Sequence, residues 1–458
     1  MTHFPATNES PKWIAPSYNN RTAQRLRRMK HAALLLGCLC ALYTVAAAQS
    51  TDQLPRRDVL GVAVIIRDGS VVVGRVLPES AASAAGIKEG DTVLSVNGAS
   101  ITSVAQFMNA VRRPAGASIN LTLLRNRVEL SENIVLPPAP REHLSNVQTL
   151  YGTVLVDGAL RRTLTTIPVP ARGRLPGVLL VGGIGCYSID NTFDQLDPYR
   201  HLVADLSKAD FITMRVEKSG VGDSEGAPCS QVDFRLEYDG YAAGLAALKA
   251  DRRVDSAKVF IIGHSIGGVI APRLALGGKA AGIVVADTVG IDWFTYEMIN
   301  ERRQAVLDGL NPEQVDADAA VKEFCMHELL IAKKNSQQVN SENKDCATPP
   351  YPASDAYMQE LAALNIAAPW MKVDVPVLAL YGRADFITDE SDQRRIVEIV
   401  NSSHPGRATF MPLDNMDHYL AVADSQRASF DRVVQGRLES TYNEAFSQTI
   451  IKWLKSIE

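Results

Sequence analysis

The sequence lacks several features that would define a protein class at once. Its 47 Lys and Arg residues stand against 51 Asp and Glu residues, a net charge of −4, so the basic excess of a nucleic-acid-binding domain is missing. Its 6 cysteines and 8 histidines form no C-x-x-C pair and no cluster at zinc spacing, so we predict no metal and no cofactor. Hydrophobic residues make up 46% and charged residues 21%, which excludes a disordered chain, a collagen and a coiled coil. A length of 458 residues favours two or three domains.

The first 50 residues differ in charge from the rest. They hold six Lys or Arg residues and one acid, which leaves the remainder with a net charge of −9. A basic cluster at 21–30 is followed by an apolar run at 32–45 and then by three alanines, 46–48. This order predicts a cleavable export signal over 1–48, with Met29 as an alternative start. We therefore expect an exported protein, periplasmic or secreted in a bacterium.

Two other interpretations of this segment stay open. An uncleaved membrane anchor needs about 20 apolar residues, more than the run provides. Leu36-Gly37-Cys38 faintly resembles a lipoprotein cleavage site, but the apolar stretch before it is short. No later stretch approaches about 18 apolar residues, so we expect no membrane span once the signal is removed. The acidic remainder argues against nucleic acid and anionic membranes as partners and favours a small neutral substrate.

Residues 57–137 have the pattern of a small α+β domain. Runs of strand length lie between turn signals at Gly61–Ile66, Val71–Val76, Thr92–Val96 and Ile119–Leu124. An amphipathic helix is predicted over 103–112. The stretch VLPESAASAAGIKEGDTVLSVNGASI (76–101) resembles the centre of PDZ domains from bacterial HtrA-type proteases.

This resemblance covers nearly the whole segment and implies a binding loop. Leu60, Gly61 and Val62 match the loop whose N–H groups receive a peptide's C-terminal carboxylate, while the peptide adds as a strand beside the helix. The alternative is a PDZ domain that only packs on its neighbour. A Pro-rich linker, 138–146, is expected to follow in an extended, semi-rigid form.

Residues 147–458 alternate short apolar strands with helical patterns. This alternation predicts a mostly parallel, doubly wound sheet with helices on both faces, opened by a hairpin at Leu150–Val156 and Arg161–Ile167. The helix-rich stretch at about 290–372 is too long for a simple loop, so we expect a cap insertion over the sheet's carboxyl edge. The expected sheet strands are Val178–Val181, Phe211–Val216, Val259–Ile262, Gly282–Ala286, Val377–Leu380 and Thr409–Met411.

The segment KVFIIGHSIGGVIAPRLAL (258–276) carries the chemistry. It is an apolar strand, then G-H-S-I-G-G, then a helix, which is the context that the G-x-S-x-G nucleophile elbow requires. Gly263 and Gly267 are expected because side chains there would clash around the strained turn at Ser265. The alternative is an ordinary tight turn with a capping serine.

The domain resembles the cap-bearing esterases and serine-aminopeptidase-like members of the α/β-hydrolase superfamily. MRVEKSGVGDSEG (214–226) is similar to their R-x-D-x-R-G-x-G-x-S stretch, although Glu217 and Ser219 depart from it. In that family the order is nucleophile, acid, base. The resemblance therefore implies His418 as the base, on the loop after the last strand, with His327 and His404 as the other histidines after the serine.

The family motif G-x-x-D places the acid at Asp385. Asp287, at the end of 282–286, is the alternative, and Asp414 and Asp417 are interpreted as surface or loop-capping residues. His264 should point away from the site and be packed or hydrogen-bonded structurally.

The oxyanion hole is expected from the backbone N–H groups of Ile266 and Ile184. Ile184 lies in the loop Gly182-Gly183-Ile184-Gly185, where H-G-x-G is usual. Such a loop could cradle phosphate instead, but no Walker lysine follows. Four cysteines remain after the signal and allow three connectivities. We favour Cys186–Cys229, on neighbouring loops of the carboxyl edge, and Cys325–Cys346, within the cap.

The resemblance implies an exported serine hydrolase that cleaves carboxylic esters through an acyl-serine intermediate. The first alternative is a peptidase or aminopeptidase whose PDZ domain presents peptide termini. The second is a non-catalytic scaffold in which peptide binding by the PDZ domain is the function. The partners expected are thus a small ester or peptide substrate and, at the PDZ groove, a peptide C-terminus.

Overall fold

A computed structural model describes residues 54–111, 116–192, 194–348, 351–435 and 440–457. The export signal predicted over 1–48 lies outside these residues. In the part of the chain that is described, no helix combines the length and apolar character needed to cross a membrane.

The first described region is a sheet of six strands with two short helices. The order is β1-β2-β3-β5-β6, with β4 paired to β3, and every pair is antiparallel. In β5 the alternate side chains of Ile119, Leu121 and Leu123 are buried, as a strand with one face on a core requires. The elements are β1 (Val62–Arg67), β2 (Ser70–Val76), α1 (Ala81–Ala84), β3 (Thr92–Val96), β4 (Ala99–Ser100), α2 (Val104–Val111), β5 (Ser118–Arg125) and β6 (Val128–Val135).

Strand β6 was not expected from the sequence. It pairs with β5 along its whole length through a two-residue turn, Asn126-Arg127, where φ is 50° and 67°. Positive φ at both turn positions is the type I′ geometry that suits a β-hairpin. The usual signal for this turn is Asn-Gly, and arginine in its second position hides it.

The second region contains an eight-stranded sheet among the described residues. Its order is β14-β13-β12-β11-β9-β10-β8-β7. All neighbouring strands are parallel except that β8 pairs antiparallel with both β7 and β10. The central strands are continuously apolar because helices cover both faces. The strands are β7 (Val147–Val156), β8 (Ala159–Pro168), β9 (Leu175–Val181), β10 (Ile212–Val216), β11 (Val254–His264), β12 (Gly282–Ala286), β13 (Val377–Gly382) and β14 (Ala408–Leu413).

The covering helices form two layers. One core joins the sheet to α4 (Phe234–Ala250), α5 (Ile266–Gly278) and α11 (Glu390–Ser403). The opposite core joins it to α3 (Pro198–Lys208) and α13 (Glu444–Ile457). A parallel sheet between two helical layers is the α/β arrangement expected from the sequence.

The segment between β12 and β13 is helical. Its core residues, which include Trp293, Met358 and Trp370, join the first of the two sheet cores. A disulfide links Cys325 to Cys346 within this segment. Its helices are α6 (Trp293–Leu307), α7 (Pro312–Met326), α8 (Ser336–Glu342), α9 (Asp355–Ala362) and α10 (Ala367–Trp370), with a π-helical turn at His327–Ile331. Beyond β14 lies α12 (Gln426–Val434).

Two chain segments that flank the first sheet run side by side, and we call them the stalk (54–59 and 137–142). The Val59 N–H donates to the Pro137 carbonyl over 3.0 Å, and the Ala139 N–H donates to the Arg57 carbonyl over 2.8 Å. Arg56 crosses from the stalk to the second region, where it contacts Asp223 and lies 2.6 Å from Asp190. Glu142, in the second segment of the stalk, accepts from Arg215 over 3.1 Å, so both segments are anchored to the second region.

Candidate active site

Ser265 occupies a strained turn between β11 and α5. Its φ of 55° and ψ of −125° lie where a residue with a side chain is rarely found, which points to a functional constraint. A Cβ on Gly263 would come within 2.4 Å of the Gly267 carbonyl oxygen. A Cβ on Gly267 would come within 2.2 Å of the Val181 carbonyl oxygen. Both glycines are therefore required by close backbone contacts, for the steric reason expected from the sequence.

Three side chains predicted from the sequence meet at this turn. His418 Nε2 lies 3.2 Å from Ser265 Oγ, and His418 Nδ1 lies 2.9 Å from Asp385 Oδ2. Because a carboxylate can only accept, the imidazole donates from Nδ1 and accepts the serine proton at Nε2. This tautomer is the one that a general base requires.

Asp385 is fully buried and is held in place by its own loop. Its Oδ1 accepts the N–H groups of Ile387 and Thr388 over 2.6 and 3.1 Å, and its Oδ2 also accepts the Thr388 hydroxyl. Burial opposes ionisation of this carboxyl group, but His418 and these hydrogen bonds outweigh it, so the pKa of Asp385 is lowered. Asp385 is therefore a carboxylate at neutral pH.

The contact between Asp385 and His418 also raises the basicity of the His418 imidazole. Burial favours the neutral ring of His418, but the Asp385 carboxylate overcomes this effect, with Asp287 and Asp417 adding to it. The pKa of His418 therefore lies above its ordinary value. A stronger base takes the serine proton more readily, provided that the ring is neutral before the reaction.

The other candidates for base and acid make no hydrogen bond to Ser265 or to the His418 ring. His327 is exposed and pairs with Glu328, and His404 ends α11. Asp287 is buried at the end of β12, where its Oδ1 accepts the Gly382 N–H over 2.8 Å. Burial, followed by the neighbouring Asp385, raises the pKa of Asp287 well above its usual range.

The two remaining acids differ from each other. Asp414 is exposed and pairs with Arg383. Asp417, expected at the surface or as a loop cap, is fully buried and accepts the N–H groups of Tyr419 and Ala421. It therefore caps the loop that carries His418.

The expectation that His264 points away from the site was wrong. Its ring lies 5.1 Å from the ring of His418 and borders the same cavity. Its Nε2–H donates to the His418 carbonyl over 2.8 Å, so its Nδ1 accepts the Tyr199 hydroxyl over 2.6 Å. Burial, with His418 adding to it, lowers the pKa of His264 to about 3, which keeps the ring neutral. The residue is hydrogen-bonded structurally, as expected, and supports the His418 loop.

The glycine-rich loop after β9 lies against Ser265. A Cβ on Gly183 would come within 3.3 Å of the Ser265 Cβ, which is a tight contact, so glycine leaves the most room beside the serine. In the described part of the chain, the N–H groups of Ile184 and Ile266 have no hydrogen-bond acceptor. Gly185 has a φ of 124°, which also favours glycine. The two residues expected as oxyanion donors thus border the same cavity as Ser265, and their N–H groups have no acceptor among the described residues.

The rim of this loop carries the second disulfide. Cys186 is bonded to Cys229, with their Cα atoms 5.6 Å apart. Cys229 closes the loop that follows β10. Both disulfides therefore join the pairs favoured from the sequence.

Ser265 and His418 face a cavity of about 610 Å³. Much of its wall is aromatic, including Tyr187, Trp293, Tyr296 and Tyr351. Arg75, from β2 of the first region, also borders this cavity. No group of side chains suited to a metal ion occurs among the described residues. The cavity suits a substrate with an apolar or aromatic group next to the reacting carbonyl.

The expected carboxylate loop of the first region has its carbonyls occupied. Leu60 and Gly61 accept the N–H groups of Ala82 and Leu77. In the described ranges the N–H groups of Leu60 and Gly61 have no acceptor, and Val62 begins β1. Strand β1 forms one edge of its sheet, so its outer side pairs with no other strand of the sheet among the described residues.

Three residues around the glycine-rich loop were missed from the sequence. The Lys218 ammonium and the Tyr187 hydroxyl donate to the Gly183 carbonyl, and the Gly183 N–H donates to the Tyr199 hydroxyl oxygen. The available signal was position, because Lys218 lies two residues after the end of β10, at the edge where α/β sheets bind ligands.

Comparison with known proteins identifies a family for each of the two regions. Residues 193–420 match the family described as "Serine aminopeptidase, S33", and residues 49–124 match the PDZ domain. The chain is an α/β-hydrolase with a PDZ domain. Among proteins with curated names, esterase EstD from Thermotoga maritima is 20% identical over 287 residues, which cover 63% of this chain and 64% of EstD.

Other relatives match one of the two modules each. The periplasmic serine endoprotease DegP of Escherichia coli is 34% identical over 88 residues, which cover 19% of this chain and 18% of DegP. Among solved structures, Est1E from Butyrivibrio proteoclasticus is 12% identical with a TM-score of 0.43, covering 68% of this chain and 98% of Est1E. This chain thus spans 64% of EstD and 18% of DegP.

Proposed function

We propose that this chain is an exported serine hydrolase that cleaves carboxylic esters through an acyl-serine intermediate. The observation that carries the proposal is the pair of hydrogen bonds from Ser265 to His418 and from His418 to Asp385, at 3.2 and 2.9 Å. The strained backbone of Ser265 adds to it, and so does the similarity to an esterase, EstD.

In the acylation step Ser265 Oγ attacks the ester carbonyl carbon while His418 Nε2 takes the serine proton. The carbonyl oxygen becomes an oxyanion, which the N–H groups of Ile184 and Ile266 stabilise. The carbon–oxygen bond to the leaving alcohol then breaks, and His418 gives its proton to that alcohol. Asp385 orients the imidazole and stabilises its charged form throughout.

Deacylation repeats these steps with water as the nucleophile. His418 takes a proton from water as the water oxygen attacks the acyl carbon, and the oxyanion forms again in the same place. The bond to Ser265 Oγ then breaks, and His418 returns the proton to the serine. The products are the carboxylic acid and the free enzyme, so no cofactor is needed.

Export is part of the proposal. The residue pattern of 1–48 supports it, and so do the two disulfides, which persist in oxidising compartments. Mass spectrometry of the protein recovered from a bacterial periplasm should give an N-terminus just after Ala48. A cytoplasmic product that retains residues 30–48 would contradict export.

A second candidate is a peptidase to which the PDZ domain presents a peptide. One observation favours it: Arg75, which pairs with Ala63 of the edge strand β1, also borders the cavity that contains Ser265. A peptide added to β1 would then lie close to the catalytic cavity. In this case Arg75→Ala should slow the cleavage of peptide amides and leave small p-nitrophenyl esters unaffected.

A substrate panel on the mature protein separates the two candidates. We expect turnover of p-nitrophenyl esters of graded chain length and little cleavage of aminoacyl or dipeptidyl amides. A fluorophosphonate should label the wild-type protein and should fail to label Ser265→Ala. If the wild type cleaves neither esters nor amides and takes no label, the hydrolase proposal is wrong. The result would then favour a non-catalytic scaffold whose function is peptide binding by the PDZ domain.

A further inference from the structure

A buried lysine contacts the loop that holds one of the two oxyanion donors. Lys218 follows β10, and its Nζ donates to the Gly183 carbonyl over 2.8 Å. The Tyr187 hydroxyl donates to the same oxygen over 3.1 Å. The Lys218 side chain is 5% exposed, so this ammonium is removed from water. Removing a charged ammonium from water costs free energy, and an opposite charge nearby is needed to offset that cost.

Glu237 is that partner. This residue lies on α4, and its Oε1 is 3.0 Å from Lys218 Nζ. The ammonium also lies 5.5 Å from the centre of the Tyr187 ring, within the range of a cation–π contact. The Glu237 carboxylate and the Tyr187 ring thus hold the Lys218 ammonium at the Gly183 carbonyl.

The geometry of a peptide bond connects this contact to the reaction. In a trans peptide the carbonyl of Gly183 and the N–H of Ile184 lie in one plane and point in opposite directions. Lys218 and Tyr187 hold the carbonyl of this peptide, and the Lys218 ammonium lies beside Glu237 of α4. The Ile184 N–H therefore points away from the Lys218 ammonium, and it has no acceptor among the described residues, while Ile184 borders the cavity that contains Ser265.

The charge of Lys218 has a second effect on the same peptide. A hydrogen bond from an ammonium to a carbonyl oxygen polarises the amide, and hydrogen bonds in series strengthen one another. The Ile184 N–H therefore becomes a stronger donor to the oxyanion. This benefit arises mainly in the transition state, because the charge on the substrate oxygen develops there.

We infer that Lys218 is a positioning residue of the proposed hydrolase: it fixes and polarises the 183–184 peptide so that the Ile184 N–H stabilises the oxyanion. The inference rests on the proposed function. It predicts an effect on kcat without a matching effect on substrate binding, because Lys218 does not touch the substrate. Replacing a residue that only stabilises the fold would not lower kcat selectively while KM stays unchanged.

The test replaces Lys218 by methionine, which keeps an unbranched side chain of similar length. With a p-nitrophenyl ester, kcat of Lys218→Met should fall roughly 10- to 100-fold while KM stays within about threefold, because one oxyanion donor is worth about 10²- to 10³-fold. Binding of a boronic acid, which mimics the tetrahedral oxyanion, should weaken by the same factor as kcat/KM. The acid limb of the pH profile should not move, because His418 is untouched.

Lys249 provides a matched control. Its Nζ also donates to backbone carbonyls, those of Gly278 and Lys279 at 2.9 and 2.8 Å, at the far end of α5. Lys249→Met should leave kcat and boronate affinity unchanged. Each variant loses hydrogen bonds from a lysine ammonium to backbone carbonyls. Only Lys218 donates to the loop that carries Ile184.

A double variant guards against misfolding. Lys218→Met leaves the Glu237 carboxylate buried without its partner, which could unfold the protein. Lys218→Met/Glu237→Gln removes both charges together and should fold while keeping the low kcat. If this folded double variant retains wild-type kcat, or if KM rises at constant kcat, the inference is overturned. If the wild type itself shows no turnover and no labelling, the proposed function falls, and this inference falls with it.

Discussion

Asp385 and Asp287 follow neighbouring parallel strands of one sheet, but only Asp385 contacts His418. Its Oδ2 lies 2.9 Å from His418 Nδ1, whereas Asp287 Oδ1 accepts a backbone N–H and its Oδ2 has no partner among the described residues. The two carboxyl groups are both fully buried and are close enough to influence each other's ionisation. They therefore form a natural pair for testing which acid acts.

Asp385→Asn should lower kcat roughly 10³- to 10⁴-fold with little loss of folding, because the amide no longer holds the imidazole in the required tautomer. Asp287→Asn is the matched control and should retain activity within a few-fold, since this side chain makes no hydrogen bond to His418 and its Oδ1 accepts the Gly382 N–H instead. Steady-state kinetics with a p-nitrophenyl ester and thermal unfolding of both variants give the comparison. The reverse order of activities would make Asp287 the acid.

The pH dependence should follow His418. Only the neutral imidazole accepts the serine proton, so kcat/KM should decrease as the pH falls through the pKa of His418. Because Asp385 raises that pKa, the midpoint should lie above the ordinary value of about 6.5. In the residual activity of Asp385→Asn the midpoint should move to lower pH. A wild-type profile that stays flat down to pH of about 5 would contradict His418 as the base.

Two glycines of α5 should differ sharply when each is changed to alanine. Gly267→Ala places a Cβ 2.2 Å from the Val181 carbonyl oxygen, so we expect a loss of at least about 2 kcal/mol in the free energy of unfolding, together with lost activity. Gly277→Ala is the control, because the nearest atom to its new Cβ is 3.5 Å away. This change should be neutral or stabilise by up to about 1 kcal/mol, since alanine favours a helix. Chemical denaturation measures both values, and equal losses would speak against the tight elbow.

The two disulfides should separate stability from activity. Each closes a loop, with sequence separations of 43 and 21 residues, so removing either should lower the free energy of unfolding by about 2–4 kcal/mol. Only the loss of Cys186–Cys229 should also lower kcat, because this bond holds the loop of Ile184. Cys186→Ala/Cys229→Ala and Cys325→Ala/Cys346→Ala are compared at a temperature where both remain folded. An equal kcat in the two double variants would show that the loop needs no such support.

The local parts of this protein could be predicted from its sequence. The strand–turn–helix pattern around Ser265 is contained in fewer than about twenty consecutive residues, and its glycines report steric contacts that any such turn must make. The sheet followed from the alternation of apolar strands and helices, because that pattern depends on burial alone. The order of nucleophile, acid and base left several histidines and acids open, and the preference for Asp385 and His418 came from the family resemblance, which places the acid at G-x-x-D and the base on the loop after the last strand.

The parts that escaped prediction depend on contacts between distant residues. Lys218 and Gly183 are joined by a hydrogen bond between loops of different strands, and no local pattern encodes that distance. His264 was misjudged for the same reason, since its partners are Tyr199 and the His418 carbonyl. Strand β6 was missed because its turn uses Asn126-Arg127 and its side chains are mostly exposed.

The paired segments of the stalk change what a single break in the chain can do. The segment before the PDZ domain is held on the hydrolase by Arg56 and by the Arg57 N–H, which donates to Asp223 over 2.8 Å. The segment after it is held by Glu142, whose carboxylate accepts from Arg215 over 3.1 Å. A protease cut at 143–146 would therefore nick the backbone and leave the two modules as one particle. Release of the PDZ domain requires both segments of the stalk to be cut or the contacts of Arg56, Arg57 and Arg215 to be lost.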